Sequence, residues 1–169
     1  MNSKIIKIIF IFNFMINPMY IQSAPKLTST TCTTEQHRAF DFLLGEWEVT
    51  TKGKNKPHAK SNITKHNNGC SIHEHYVTST AYTGNSINFY DKDNHQWHQT
   101  WIDNSGSPLY LDGKFENVAM ILSDKSNRIT WSKDKQGRVN QIWETNQDDV
   151  KSWKIIFVGS YKRINTRSQ

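Results

Sequence analysis

Only two cysteines, Cys32 and Cys70, occur in 169 residues, with none of the close pairing that a thiolate metal site uses. No apolar run is long enough to span a bilayer: the stretch from Ile8 to Ile16 is short and is broken by Asn13. No cysteine follows that stretch closely, which argues against a lipid-anchored lipoprotein. Basic residues are scattered apart from Lys52, Lys54, Lys56 and Lys60, a spacing that fits a solvated hairpin rather than a nucleic-acid surface. There is no βαβ alternation, internal repeat or low-complexity block, which leaves parallel doubly wound and solenoid folds without support. No nucleophile lies beside an evident base, and no glycine-rich oxyanion loop is present.

The N-terminus has a targeting layout. Lys4 and Lys7 precede the apolar stretch, and Ser23-Ala24 offers small residues for cleavage. Cleavage after Ser23 keeps Pro25 away from the scissile bond. The expectation is a signal peptide over 1–23, a flexible leader over 24–32 and one domain over 33–169, exported to the periplasm or secreted. The formal charge of +6 falls to +4 once Lys4 and Lys7 are removed. In an exported chain an even cysteine count predicts one disulfide, here Cys32–Cys70, tying the N-terminal segment to the body. Asn62-Ile63-Thr64 fits a glycosylation acceptor in a host that glycosylates exported chains.

Thr33 with Gln36 three residues on reads as a capping box, followed by Ala39, Phe40, Leu43 and Leu44 at helical spacing and a stop at Gly45. From Glu46 the period changes to two. β-rich runs at 46–52, 58–66, 70–80, 85–91, 95–103, 108–115, 117–123, 128–133, 138–145 and 152–163 alternate with Asn-, Asp- and Gly-rich turns. Short turns make sequential strands antiparallel neighbours. About ten of them hide their edges best by closing into an up-and-down barrel. The fold expected is all-β, an antiparallel barrel of about ten strands with a short N-terminal capping helix. Trp47, packed under Phe40 and Leu44, is expected to seal one end.

Alternation assigns the inner face. Trp97, Gln99, Trp101 and Asp103 share one side, as do Leu109, Leu111, Gly113 and Phe115. Later come Ile129 with Trp131, then Val139, Gln141 and Trp143, then Trp153, Ile155, Phe157, Gly159 and Tyr161. Every tryptophan after Trp47 falls on the inner side in this reading. Ile72, Glu74, Tyr76 and Thr78 are placed inward too, which buries the Glu74 carboxylate and requires a partner or a proton for it. A barrel of this strand number usually encloses room for a ligand.

The candidate ligand-binding residues are Glu74, Tyr76, Trp97, Gln99, Trp101, Trp131, Gln141 and Trp143. Gln99 and Gln141 either orient a ligand or bond to each other, Glu74 or water; the tryptophans either stack on a flat ligand or fill the core. Glu74 is a weak candidate for general acid or base, and the balance is against an enzyme. His73 and His75 share the face opposite Glu74, so His73-Glu74-His75 forms no local chelate, and no metal or other cofactor is expected.

One resemblance covers nearly the whole chain. Phe40-Asp41-Phe42-Leu43-Leu44-Gly45-Glu46-Trp47-Glu48-Val49 resembles the F-D-F-W-L-G-E-W-x-V motif of a group of exported bacterial proteins, with Leu43 where Trp is usual. Gly69-Cys70-x-Ile72-x-Glu74, Ser86-x-Asn88-x-Tyr90-Asp91, Trp97-x-Gln99-x-Trp101-x-Asp103, Gln141-x-Trp143-Glu144 and Gly159-x-Tyr161-x-Arg163 extend it in order. The resemblance implies a calycin-like barrel, the class of lipocalins, fatty-acid-binding proteins and nitrobindins, and no particular activity. Nitrobindins hold haem through a late histidine; no histidine follows His98 here, which counts against that mode. The expectation is a lipocalin-like carrier of a small, partly apolar molecule. The alternatives are an enzyme using Glu74 and an envelope interaction protein with a solid barrel.

Overall fold

The computed structural model describes residues 31–146 and 152–164. The signal segment 1–23, leader residues 24–30 and the Gln147-Asp148-Asp149 turn lie outside the described residues.

A single turn of helix, α1 (Glu35–Arg38), starts the fold, with Thr34 rather than Thr33 at its N-cap. The Thr34 Oγ1 accepts the His37 N–H at 3.5 Å, and the Ala39 N–H already closes back on Gln36. The expected longer helix is therefore two pieces, α1 and a 3-10 turn at Asp41–Leu43. Together they mimic helical spacing and deliver Phe40 and Leu43 to the core, both fully buried.

Ten strands follow: β1 (Gly45–Thr51), β2 (Ala59–His66), β3 (Ser71–Thr78), β4 (Thr83–Asp91), β5 (Gln96–Asp103), β6 (Pro108–Glu116), β7 (Ala119–Ser123), β8 (Asn127–Lys133), β9 (Val139–Thr145) and β10 (Lys154–Arg163). Each pairs antiparallel with its neighbours in sequence, and β1 also pairs with β10, so the sheet closes. Aspartates set several of the turns. Asp91, Asp124 and Asp134 each accept backbone N–H groups from residues two to four positions on, the local bonding that makes Asp a turn residue.

Large buried side chains plug the helical end of the barrel. Phe40 sits against Trp97, Trp131 and Phe42, with ring centroids 5.6, 6.2 and 5.5 Å away. Trp47 is fully buried, donates its indole N–H to the Leu43 carbonyl at 2.8 Å, and carries the Arg163 guanidinium 4.4 Å from its ring centroid. Arg163 also donates to the Leu44 carbonyl at 2.8 Å. That stack explains Gly45: its φ is +132°, and a Cβ there would lie 2.1 Å from the Arg163 guanidinium. The Cys32–Cys70 disulfide ties the start of α1 to the start of β3.

Three inward assignments fail, at Trp153, Ile155 and Phe115. Trp153 lies outside the barrel, with the Arg128 guanidinium 4.5 Å from its ring centroid. The register between β9 and β10 shifts between Ile155 and Phe157, and an extra residue in one strand reverses the facing of everything before it. Ile155 therefore pairs with outward Glu144 and is exposed, while Phe157 pairs with Trp143. Phe115 is 41% exposed; it lies near the end of β6, beside Phe42 at the helical rim.

Candidate functional site

The barrel is stoppered at the helical end and hollow toward the other. A cavity of about 490 Å³ opens there, where β1, β3, β5 and β9 end and β2, β4, β6, β8 and β10 begin. Aromatic side chains form much of its wall, from Tyr76 and Tyr82 through Trp101, Trp131 and Trp143 to Phe157 and Tyr161.

Of the residues singled out in the sequence, Glu74, Tyr76, Gln99, Trp101, Trp131, Gln141 and Trp143 all line this cavity. Trp97 does not. It is buried beneath α1, donating its indole N–H to the Gln36 carbonyl at 3.2 Å. Trp97 and Trp101 share a strand face but sit four residues apart, roughly 13 Å along the barrel, so one belongs to the stopper and the other to the hollow.

The polar residues form a connected chain. Gln99 Nε2 donates to Asn88 Oδ1 at 2.7 Å, and Asn88 Nδ2 donates to Ser86 Oγ at 3.0 Å. Ser86 Oγ donates to Glu74 Oε2 at 3.4 Å, while Ser61 Oγ donates to Glu74 Oε1 at 2.7 Å. Asn88 Nδ2 reaches the Ile72 carbonyl as well, at 3.3 Å. All five residues are buried. Two strands, β2 and β4, thus aim donors at the carboxylate carried by β3, with β5 supplying the far end of the chain. Asn88, Ser86 and Ser61 were not among the sequence candidates. The one hint in the sequence is the polar alternation Ser86-x-Asn88 within a β-rich run.

Burial raises the Glu74 carboxyl above its ordinary range, and the two serine bonds oppose that rise only in part. Its charge reaches the neighbouring phenols. Tyr76 is pushed up to about 12, by burial first and then by Glu74 and Tyr82. Tyr161 is raised well above the ordinary tyrosine value, by burial and then by Glu74.

Elsewhere on the wall, Gln141 does not meet Gln99. Its Oε1 accepts the Tyr161 hydroxyl at 2.8 Å, and its amide N–H groups donate to nothing among the described residues. Trp143 donates to Asn127 Oδ1 at 3.0 Å. Trp131 is 1% exposed, and its indole N–H finds no acceptor among the described residues. His58 Nδ1, near the mouth, is likewise buried without a partner among the described residues. Gly84 makes room for Trp101: a Cβ there would lie 2.2 Å from the indole ring.

The histidines behave as outward strand residues. His73 stacks on His66 with centroids 4.0 Å apart, His75 bonds Asn85, and His98 bonds Asp112 at 2.6 Å. Among the described residues no group of three His, Cys, Asp or Glu side chains is placed to hold a metal ion. Lys52, Lys54, Lys56 and Lys60 are exposed on and beside the β1–β2 hairpin.

No family model matches the chain, and no curated protein matches it. Among solved structures it is similar to the zebrafish ileal bile acid-binding protein in complex with cholic acid. The two share 10% identity over 73% of this chain and 99% of that one, with a TM-score of 0.53. A likeness at that identity is one of fold: this chain is a calycin-like closed antiparallel barrel.

Proposed function

We propose that this protein is an exported carrier or sensor that holds a small, partly apolar molecule in the barrel cavity. The observation that carries the reading is the cavity itself, about 490 Å³, within the size range of small-molecule sites. Its aromatic walls would supply contact area, and Glu74, Gln99, Gln141 and Trp131 would orient the ligand. The orphaned Trp131 N–H supports this, because a buried donor left unmade is costly and a ligand or water oxygen would satisfy it. The structural neighbour binds cholic acid in the same class of barrel. A barrel filled by its own side chains, as an interaction protein of the envelope would have, is not what the cavity describes. Export rests on the sequence of the first 23 residues and agrees with the Cys32–Cys70 disulfide, a bond favoured in oxidising compartments. No described helix is long and apolar enough to cross a membrane.

A second reading, general acid–base catalysis by Glu74, is favoured by its raised pKa and its place on the cavity wall. It is the weaker one, because both carboxylate oxygens already accept serine hydroxyls and no activated nucleophile adjoins it.

The test is titration with Nile red, a neutral apolar dye whose emission reports a dry site. Wild type should bind it saturably at one site. Leu109→Trp, which adds bulk to the cavity wall, should bind it at least roughly tenfold more weakly while remaining folded by near-ultraviolet circular dichroism. Equal binding by the filled variant would put the dye on the surface and remove the main support for the reading.

A further inference from the structure

The cavity has a sign. Among the described residues that line it there is no lysine or arginine, and its one acidic side chain is Glu74. His58, the other titratable group besides the tyrosines, belongs to the mouth. It precedes β2, five residues from Ile63, the residue that pairs with Glu74, so roughly 16 Å of strand separates the two. Inside, therefore, an acid would meet no counter-charge, whereas a base would meet a carboxylate.

Glu74 also keeps room for a donor. A carboxylate offers about four acceptor positions, and the hydroxyls of Ser61 and Ser86 use two, the second at a long 3.4 Å. Beyond the two serines, the cavity wall that Glu74 shares carries the aromatic side chains of Tyr76, Trp101, Trp131 and Tyr161. Tyr76 lies two residues along the same inward face, and its ring centroid is 6.3 Å from that of Trp101. Tyr161, 5.3 Å from Trp131 between centroids, is close enough for the Glu74 charge to oppose its ionisation. A carboxylate within an aromatic enclosure is the arrangement that recognises an ammonium group, through the ion pair and through attraction to the ring quadrupoles.

Resting on the carrier reading above, we infer that the ligand class is an amine: a basic nitrogen seated at Glu74 and carrying an aromatic or alicyclic body that fills the space among Tyr76, Trp101, Trp131 and Tyr161. This departs from the acid that the structural neighbour holds. The lysines of the β1–β2 hairpin oppose approach of a cation only weakly, since they are exposed and screened within about 8 Å at physiological salt. Glu74, in contrast, acts from inside a low-dielectric enclosure.

Three probes of matched shape test this by isothermal titration calorimetry at neutral pH: naphthylethylamine, naphthylethanol and naphthylacetic acid. The amine is expected to bind roughly tenfold or more tightly than the alcohol, and the acid more weakly than either. Glu74→Gln, which preserves the shape of the side chain, is expected to bring amine and alcohol to within about threefold of each other. An alcohol or acid that binds wild type as tightly as the amine overturns the amine assignment and leaves the carrier reading standing. Failure of all three at millimolar concentration, together with failure of the Nile red titration, overturns both. An amine preference undiminished in folded Glu74→Gln also overturns the assignment, because the nitrogen would then sit elsewhere. The wild-type comparison needs no variant, so a misfolded Glu74→Gln does not shield the proposal.

Discussion

Replacing Asn88 by leucine should do far more damage than a surface polar-to-apolar change, and its cost should depend on Gln99. Asn88 is 1% exposed and makes three bonds: it accepts from Gln99 Nε2 at 2.7 Å and donates to Ser86 Oγ at 3.0 Å and to the Ile72 carbonyl at 3.3 Å. Leucine fills much the same volume but leaves the Gln99 N–H and the Ile72 carbonyl short of a partner. Ser86 suffers less, because it still donates to Glu74. At about 1–3 kcal/mol for each buried group left unsatisfied, Asn88→Leu should cost about 2–6 kcal/mol. The lower part of that range applies if cavity water reaches Gln99. Gln99→Leu alone orphans the Asn88 carbonyl oxygen and should cost about 1–3 kcal/mol. In the double variant neither end of that bond remains, so the total should fall below the sum by about 1–2 kcal/mol. Urea unfolding with the disulfide intact, followed by tryptophan fluorescence and far-ultraviolet circular dichroism, measures all four corners of the cycle. Additivity within about 0.5 kcal/mol, or a stabilised Gln99→Leu, would refute the connected polar chain and favour an interior indifferent to these amides.

The other expectations concern the same scaffold. Burial raises the folded-state pKa of Glu74 above its ordinary 4.5, so the native state holds that proton more tightly than the unfolded chain. Its contribution is complete below the unfolded pKa and is lost as pH rises through the folded one. The stability of Glu74→Gln relative to wild type should therefore improve as pH rises above the unfolded value, and parallel unfolding profiles would count against a carboxyl group raised by burial. Gly84→Ala would place a methyl group 2.2 Å from Trp101; it should cost about 1–3 kcal/mol, drive the indole toward the cavity and weaken Nile red binding, and an unshifted tryptophan spectrum would contradict the contact. The Cys32–Cys70 bridge spans a sequence separation of 38, for which chain entropy allows up to about 4 kcal/mol. The double serine variant should unfold at lower urea by up to that amount yet still bind the dye, since the bridge lies at the stoppered end.

The barrel was legible because two kinds of signal agreed. Asn-, Asp- and Gly-rich turns cut the text into ten runs, and period-two alternation within them placed Glu74, Gln99, Trp131 and Gln141 on the side where the structure puts them. What alternation lacks is a length coordinate. Trp97 and Trp101 looked equivalent, yet one packs the stopper and the other lines the hollow. It is also blind to bulges: Trp153-x-Ile155-x-Phe157 reads as one face, and only the slipped pairing with β9 shows the reversal. Small hydroxyl residues hid the rest. Ser61 and Ser86 are as plausible outside a barrel as inside, and nothing local says that both point at Glu74. The helix misread has a similar cause, since adjacent threonines at 33 and 34 both suit a cap and the backbone chose the second.

Native mass spectrometry of the mature protein, purified gently from a host that exports it, tests the central claim most directly. A single small-molecule adduct at one per chain, released on denaturation and absent from folded Leu109→Trp, is the predicted result, and a released mass carrying a basic nitrogen would support the amine assignment as well. A protein that arrives empty and takes up neither Nile red nor any of the three naphthyl probes would contradict the account.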